Sequence, residues 1–200
     1  NHRSPHSTSY QADEKTACSN CCGESFEGTM NTSEIYKACG SNRAFGGVYA
    51  KDTFVQASKQ KKLYVVNTDP SWSPGEHWFV VDHTQEPCII FDSYGAESPT
   101  SSSKFWQGAL GTAYYFNDTL QGATTNVCGD YCVFYVFLRA SGASPQRCFA
   151  LLRGLGYNTH ARDHCVREMS VWLFGTFHSD GVHVSPMLNQ ICKASFTVQK

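Results

Sequence analysis

The sequence predicts an α+β domain in which helices flank a central mixed or antiparallel sheet, and three features carry that reading. Leu63–Val66, Trp78–Val81 and Cys88–Phe91 are short β-branched and aromatic runs close together in the chain, as neighbouring strands of one sheet are. Cys132–Leu138 is apolar almost all round, which within the span Gly129–Arg139 marks a helix buried in the core. Val166, Met169, Ser170, Leu173, Phe174 and Phe177 recur at spacings of three and four, the stripe of a helix with one face turned inward.

The remaining elements follow in chain order. Residues 1–30 are polar without an apolar period and are expected to form a loosely docked arm, leaving 31–200 as one folded domain. Asn31 with Glu34 three residues on has the chemistry of a capping box, and Gly40 suits a left-handed helix end, so Thr32–Cys39 reads as a short helix. Gly46 and Gly47 mark a turn into Val48, and Thr84–Pro87 supplies the turn between the second and third strand runs. Ser102–Leu110 has weak helical character and Tyr114–Phe116 reads as a further strand. Ser141 and Gly142 end the buried helix.

Composition narrows the function classes. A chain of 200 residues buries most of its apolar surface in one core. A formal charge of -1 and a pI near 6.8 give no global field for phosphate backbones, so nucleic acid is not the implied partner. No apolar run approaches the roughly 18 residues of a membrane helix, and the first residues lack the apolar centre of a signal peptide, so no membrane partner and no secretion are expected. Ten cysteines in 200 residues fall below the roughly 8–10% of a disulfide scaffold, and reduced thiols are expected.

Among those thiols, Cys128 stands apart because it precedes Gly129 at the start of the buried helix. There, unpaired backbone N–H groups and the helix dipole favour a thiolate. A thiol nucleophile needs a base, a group that orients the base, and donors for the developing oxyanion. His77, in Gly75-Glu76-His77-Trp78, opens one strand, and Asp92 follows the neighbouring strand, so antiparallel pairing brings the two together. Gln121 lies on the loop entering the buried helix, where its amide is able to donate to an oxyanion alongside the Cys128 backbone N–H.

Each residue also has a plainer reading. His77 alone is a structural strand-end histidine, and Asp92 alone is a turn former ahead of Ser93 and Gly95, with Asp82 as the rival orienter. Cys132, one helical turn beyond Cys128, is the rival nucleophile, but a deeper position makes it a small hydrophobe, the reading given also to Cys88, Cys148, Cys165 and Cys192. Cys18 and Cys21 have zinc-type spacing, with Cys22 and Cys39 in the same reading and His160 and His164 four apart, but no second pair at appropriate spacing after them supports a metal. Lys59, Lys61 and Lys62 read as a solvated face.

Taken together, Gly75-Glu76-His77-Trp78, Phe91-Asp92-Ser93-Tyr94-Gly95, Gln121-Gly122 and Asn126-Val127-Cys128-Gly129 resemble, in order and local chemistry, the adenovirus-type endopeptidases and their relatives the Ulp1-like SUMO proteases. The likeness runs in outline from Thr32 to Cys165, with Phe45-Gly46-Gly47-Val48 resembling the family's N-terminal segment. It implies a papain-like, Ulp1-like cysteine protease fold with Cys128 as nucleophile, His77 as general base, Asp92 as its orienter and Gln121 as oxyanion donor. The adenovirus enzymes commonly carry Glu where this chain has Asp92, and the Ulp1-like relatives carry Asp.

By the same resemblance the partners are protein or peptide substrates, viral structural precursors cut next to small Gly-type residues during particle maturation. The implied location is the host nucleus and the virion, and a monomer without metal or organic cofactor is expected. Adenovirus enzymes are activated by a disulfide-linked peptide and by DNA. Here the corresponding stretch, Gln107–Thr112, has no cysteine and the net charge is near neutral, so neither activator is supported. The alternatives are a protease removing ubiquitin-like modifiers and a non-enzymatic capsid or interaction protein on the same fold.

Overall fold

A computed structural model of the chain describes residues 29–54, 60, 62–95, 100 and 103–175, with 172–175 as backbone only. The fold is α+β. A mixed five-stranded sheet has the order β1 (Phe45–Tyr49), β2 (Leu63–Asn67), β3 (Trp78–Asp82), β4 (Cys88–Phe91) and β5 (Ala113–Tyr115). The two outer pairings are parallel and the two inner ones antiparallel. The helices are α1 (Thr32–Cys39), α2 (Lys51–Phe54), α3 (Lys104–Leu110), α4 (Cys128–Ala140), α5 (Pro145–Arg153) and α6 (Thr159–Gly175).

β2, β3 and β4 are buried at every residue, which is why their sequences read as continuous apolar runs rather than alternating ones. The pleat divides those side chains between two cores. Leu63, Val65, Trp78, Val80 and Phe91 pack under α1, α4, α5 and α6, whereas Tyr64, Val66, Phe79, Val81 and Ile90 pack against Phe54 of α2 and Trp106 and Leu110 of α3. Asn67 and Asp82 continue the alternation on the α4 side, so the larger core carries a polar residue at each end of its strands.

α4 is buried along nearly its whole length and lies across β3. Its C-terminal turn is tied to the strand by Arg139, whose Nε donates to Asp82 at 2.6 Å and whose Nη2 donates to Thr84 Oγ1 at 2.6 Å. Tyr135 Oη donates to the same carboxylate at 3.1 Å, and Thr84 N–H donates to its other oxygen at 3.0 Å. Asp82 is therefore a fully buried, fully partnered structural anion at the opposite end of β3 from His77. The rival orienter is taken up by the helix.

Several expectations hold to the residue, and others are corrected. The Asn31–Glu34 capping box is present in both directions, at 2.8 and 3.1 Å, and α1 ends at Cys39. Gly40 closes it in right-handed geometry, φ −63°, donating to Tyr36 O, so no left-handed cap is used. The expected turn at Gly46 and Gly47 is instead part of β1, which carries a register irregularity there. Gly46 lies so close to the Tyr64 ring that a Cβ would come within 2.3 Å of it. Glycine here serves close approach within a strand, not reversal of the chain.

α5 was not expected, although Ser144 caps it through Arg147 N and Pro145 stands in its first turn, a start signal visible in the sequence. Met30 is already in the core, 5% exposed, inside the stretch expected to be an arm; residues 1–28 lie outside the described residues, as do Cys18, Cys21, Cys22, Lys59, Lys61, Phe177 and Cys192. Among the described residues no helix is long and apolar enough to cross a membrane, and no group of three or more His, Cys, Asp or Glu suits a metal ion.

Asp82 is 0% exposed, so Arg139→Met should cost about 3 kcal/mol or more in urea denaturation, because it strands a buried carboxylate. The double variant Asp82→Leu with Arg139→Met should recover much of that loss, since no charge is left unpaired. A single variant within about 0.5 kcal/mol of wild type, the range of neutral surface changes, would remove the pin from the account.

Candidate active site

His77 ends the loop before β3 and Asp92 follows β4. Antiparallel pairing of Val80 with Phe91 sets those two ends side by side. Across them His77 Nε2 meets Asp92 Oδ1 at 2.8 Å, with the two residues 4% and 3% exposed. Tyr94 N–H donates to the same oxygen at 3.0 Å, and Thr100 Oγ1 donates to Asp92 Oδ2 at 2.9 Å. Both carboxylate oxygens are thus occupied, which fixes the plane of the acid and through it the ring of His77.

Cys128 is the first residue of α4, preceded by Val127, and no side chain caps the helix. The first N–H groups of a helix have no partner within it, so this end presents donors and positive potential where the sulfur lies. With Nε2 held by Asp92, Nδ1 is the nitrogen left for Cys128. The sulfur interacts with the imidazole strongly enough to raise its proton affinity, although Nδ1 makes no hydrogen bond at ordinary geometry.

Burial by itself would lower the His77 pKa. The Asp92 hydrogen bond, the contact with Cys128 and the charges of both groups outweigh it, and the imidazole is lifted from 6.5 to about 9. Cys132, one turn deeper in α4, has its thiol pushed well above 9.0, first by burial and then by the neighbouring Cys128 and Asp92 charges. The two thiols share a helix face, but only Cys128 has a base against it, and the rival nucleophile is a packed core residue.

Gln121 is 1% exposed and strongly held. Its Oε1 accepts from Ser93 Oγ at 2.7 Å, and its Nε2 donates to Thr125 O at 2.6 Å and to Tyr94 Oη at 3.3 Å. The same Tyr94 ring stacks on His77 with centroids 4.7 Å apart and planes 29° apart. Gln121 is therefore linked to the histidine through Tyr94. Of its two donated bonds, the one to Thr125 O is the shorter and the one to Tyr94 Oη the longer.

Three contributors escaped the sequence reading. Tyr94 lies inside the quoted Phe91–Gly95 motif and was the one within reach. Thr100 has no local signal. Asp163 comes from α6, where its Oδ2 accepts from Gly122 N at 2.9 Å and Thr125 Oγ1 at 2.8 Å while its Oδ1 accepts from Tyr131 Oη at 2.8 Å. It ties the Gln121 loop to the buried helix, and Arg162 adds a 2.6 Å bond to Leu120 O. Asp130, in the first turn of α4, is raised to about 6 by burial despite Arg167 at 3.3 Å.

A histidine whose pKa rises from 6.5 to about 9 on folding adds stability that is complete below 6.5 and is lost as pH climbs through 9. NMR titration of the His77 ring should accordingly show it protonated at neutral pH. Asp92→Asn should return the midpoint towards or below 6.5, because burial is then less opposed, and should flatten the loss of stability between pH 7 and 9. A wild-type midpoint near 6.5 would refute the coupling.

The arrangement joins a thiol, an imidazole with raised proton affinity, a fixed carboxylate and an uncapped helix end, a set able to form and resolve a covalent acyl intermediate. Neither the models of known protein families nor the curated proteins give a match to this chain.

Proposed function

We propose that the chain is a cysteine endopeptidase of the adenovirus-endopeptidase type, with a papain-like, Ulp1-like fold. The observation that carries this is the 2.8 Å His77–Asp92 contact with Cys128 against the same imidazole at an uncapped helix start. Nucleophile, base and orienter come from three separate elements, and a purely structural role for any one of them does not require the other two.

In the proposed reaction the Cys128 sulfur attacks the scissile carbonyl and the imidazolium of His77 gives its proton to the leaving amine. An acyl-enzyme remains, and His77 then takes a proton from the water that hydrolyses it. The oxyanion is met by the Cys128 backbone N–H and by the Gln121 amide turning from Tyr94. Asp92 holds the ring and balances its charge. From the motif likeness, the substrates are viral structural precursors cut beside small Gly-type residues during particle maturation in the host nucleus and virion.

One observation favours a second reading. The orienting acid is Asp92, the residue of the Ulp1-like proteases, and its short side chain already reaches His77, so removal of a ubiquitin-like modifier is the alternative. Cleavage of capsid-precursor peptides against SUMO and ubiquitin fusions separates the two. A non-enzymatic interaction protein is disfavoured by the convergence of the site.

Cys128→Ala should abolish both peptide cleavage and labelling by a thiol-reactive probe, and Cys132→Ala should leave labelling largely intact. Labelling that persists at Cys132 with Cys128 inert would reverse the assignment. Gln121→Ala should lower kcat and kcat/KM together by roughly 10²-fold, with peptide affinity nearly unchanged. Kinetics equal to wild type would confine Gln121 to holding its loop.

A further inference from the structure

Beside the site lies a pocket of about 280 Å³ whose lining includes Thr32, Asn67, Asp69, Ser73, Gly75 and Trp78. That is just below the roughly 300–1,000 Å³ of pockets that enclose a whole small molecule, so it suits a single group of a larger ligand. Its wall borders the candidate site. Gly75 and Trp78 flank His77 in the chain, and Thr68 N–H donates to His77 O at 2.9 Å. Trp78 Nε1 donates to Met30 O at 2.9 Å, and Met30 in turn packs on Gly129, next to Cys128.

Asn67 is the unusual member. It is the last residue of β2, paired with Trp78 and only 5% exposed. Its Oδ1 accepts from Asp69 N–H at 2.9 Å, which decides which way the amide points. The opposite end, Nδ2, has no acceptor among the described residues, lies beneath Gly75 and is not sealed from the pocket it lines. An amide donor that no described protein group takes up, on a side chain otherwise packed into the fold, is available to a ligand acceptor in a concave site. Asp69 lines the same pocket, and the bond recorded for its carboxylate is from Glu76 N–H at 2.8 Å to Oδ2. Donor and acceptor together are the complement of an amide.

We propose that this pocket binds an amide group of the polypeptide substrate, Asn67 Nδ2 donating to its carbonyl oxygen and Asp69 accepting from its N–H. The word substrate rests on the endopeptidase reading; the binding chemistry does not. A glutamine or asparagine side chain and the substrate backbone both present this pair of atoms. Gly75, at φ +84°, has no room for a side chain, since a Cβ would sit 2.7 Å from Asn67 Nδ2, and its absence keeps the donor reachable.

The test uses the full chain with Cys128→Ala and three small probes, propionamide, propionate and propylamine. Propionamide should move the Asn67 side-chain amide and Trp78 indole NMR signals, and the two charged probes should not. Asn67→Leu should abolish the Trp78 response. Asn67→Asp, which keeps the acceptor for Asp69 N–H, should exchange propionamide for propylamine as the binder. Equal responses to all three probes, or none to propionamide, would overturn the proposal.

With active protein, peptides carrying Gln against Leu at each position, and backbone N-methyl peptides, separate the two sources. A preference of about tenfold in kcat/KM, the scale of one hydrogen bond, that disappears in Asn67→Leu assigns the amide to a side chain or to the backbone. Cleavage without any such preference in either series would also overturn the proposal while leaving the endopeptidase reading intact. Propionamide binding without cleavage of any peptide would sustain the pocket and remove that reading.

Discussion

The helix α4 lies across β3, and the two are matched in length between their polar ends. From Cys128 to Arg139 a helix rises about 16 Å, and from His77 to Asp82 a strand advances about the same distance. Matched lengths let one polar contact form at each end. Arg139 finds Asp82 at one, and Cys128 meets His77 at the other. A shift of α4 by one turn, roughly 5 Å, would strand the buried Asp82 and carry the sulfur away from the imidazole. The structural pair and the chemical pair are therefore set by the same packing, with the apolar length of the helix between them.

The loops around the site are held to this frame by buried carboxylates rather than by regular structure. Asp92 gathers His77, Tyr94 N–H and Thr100, and Asp163 gathers Gly122, Thr125 and Tyr131. Each carboxylate accepts from several donors on different segments, so it organises more chain than a hydrophobic residue of the same size. Tyr94 joins the two sets, stacking on His77 and bonding to Gln121. The Gln121 loop and the His77 imidazole are consequently coupled through a single ring.

Electrostatics divides the thiols as packing divides the strands. Cys39 and Cys148 are raised to about 12 by burial, and burial pushes Cys132 well above 9.0, so these thiols remain protonated fillers of the core. Cys128 differs in having an imidazole beside it that is lifted to about 9, together with an uncapped helix start. The distinction among chemically identical side chains arises from the field at each position.

Local sequence is enough to read the α+β class, the spans of α1 and β4, the buried helix to within one residue at each end, and the four candidate site residues. These follow from local information: a capping box at Asn31 and Glu34, apolar runs of strand length, and a cysteine immediately before a glycine at a helix start. That the sheet is mixed, that Gly46 and Gly47 lie within a strand, and that Asp82 belongs to Arg139 and not to His77 emerges only from tertiary packing. It alone supplied Thr100, Asp163 and the open Nδ2 of Asn67, for none of which local sequence carries a signal. The physical reason is the same in each case. A hydrogen bond of 2.8 or 2.9 Å between residues 15 or 41 positions apart depends on where two distant backbones are laid, and periodicity in one segment holds no record of the other.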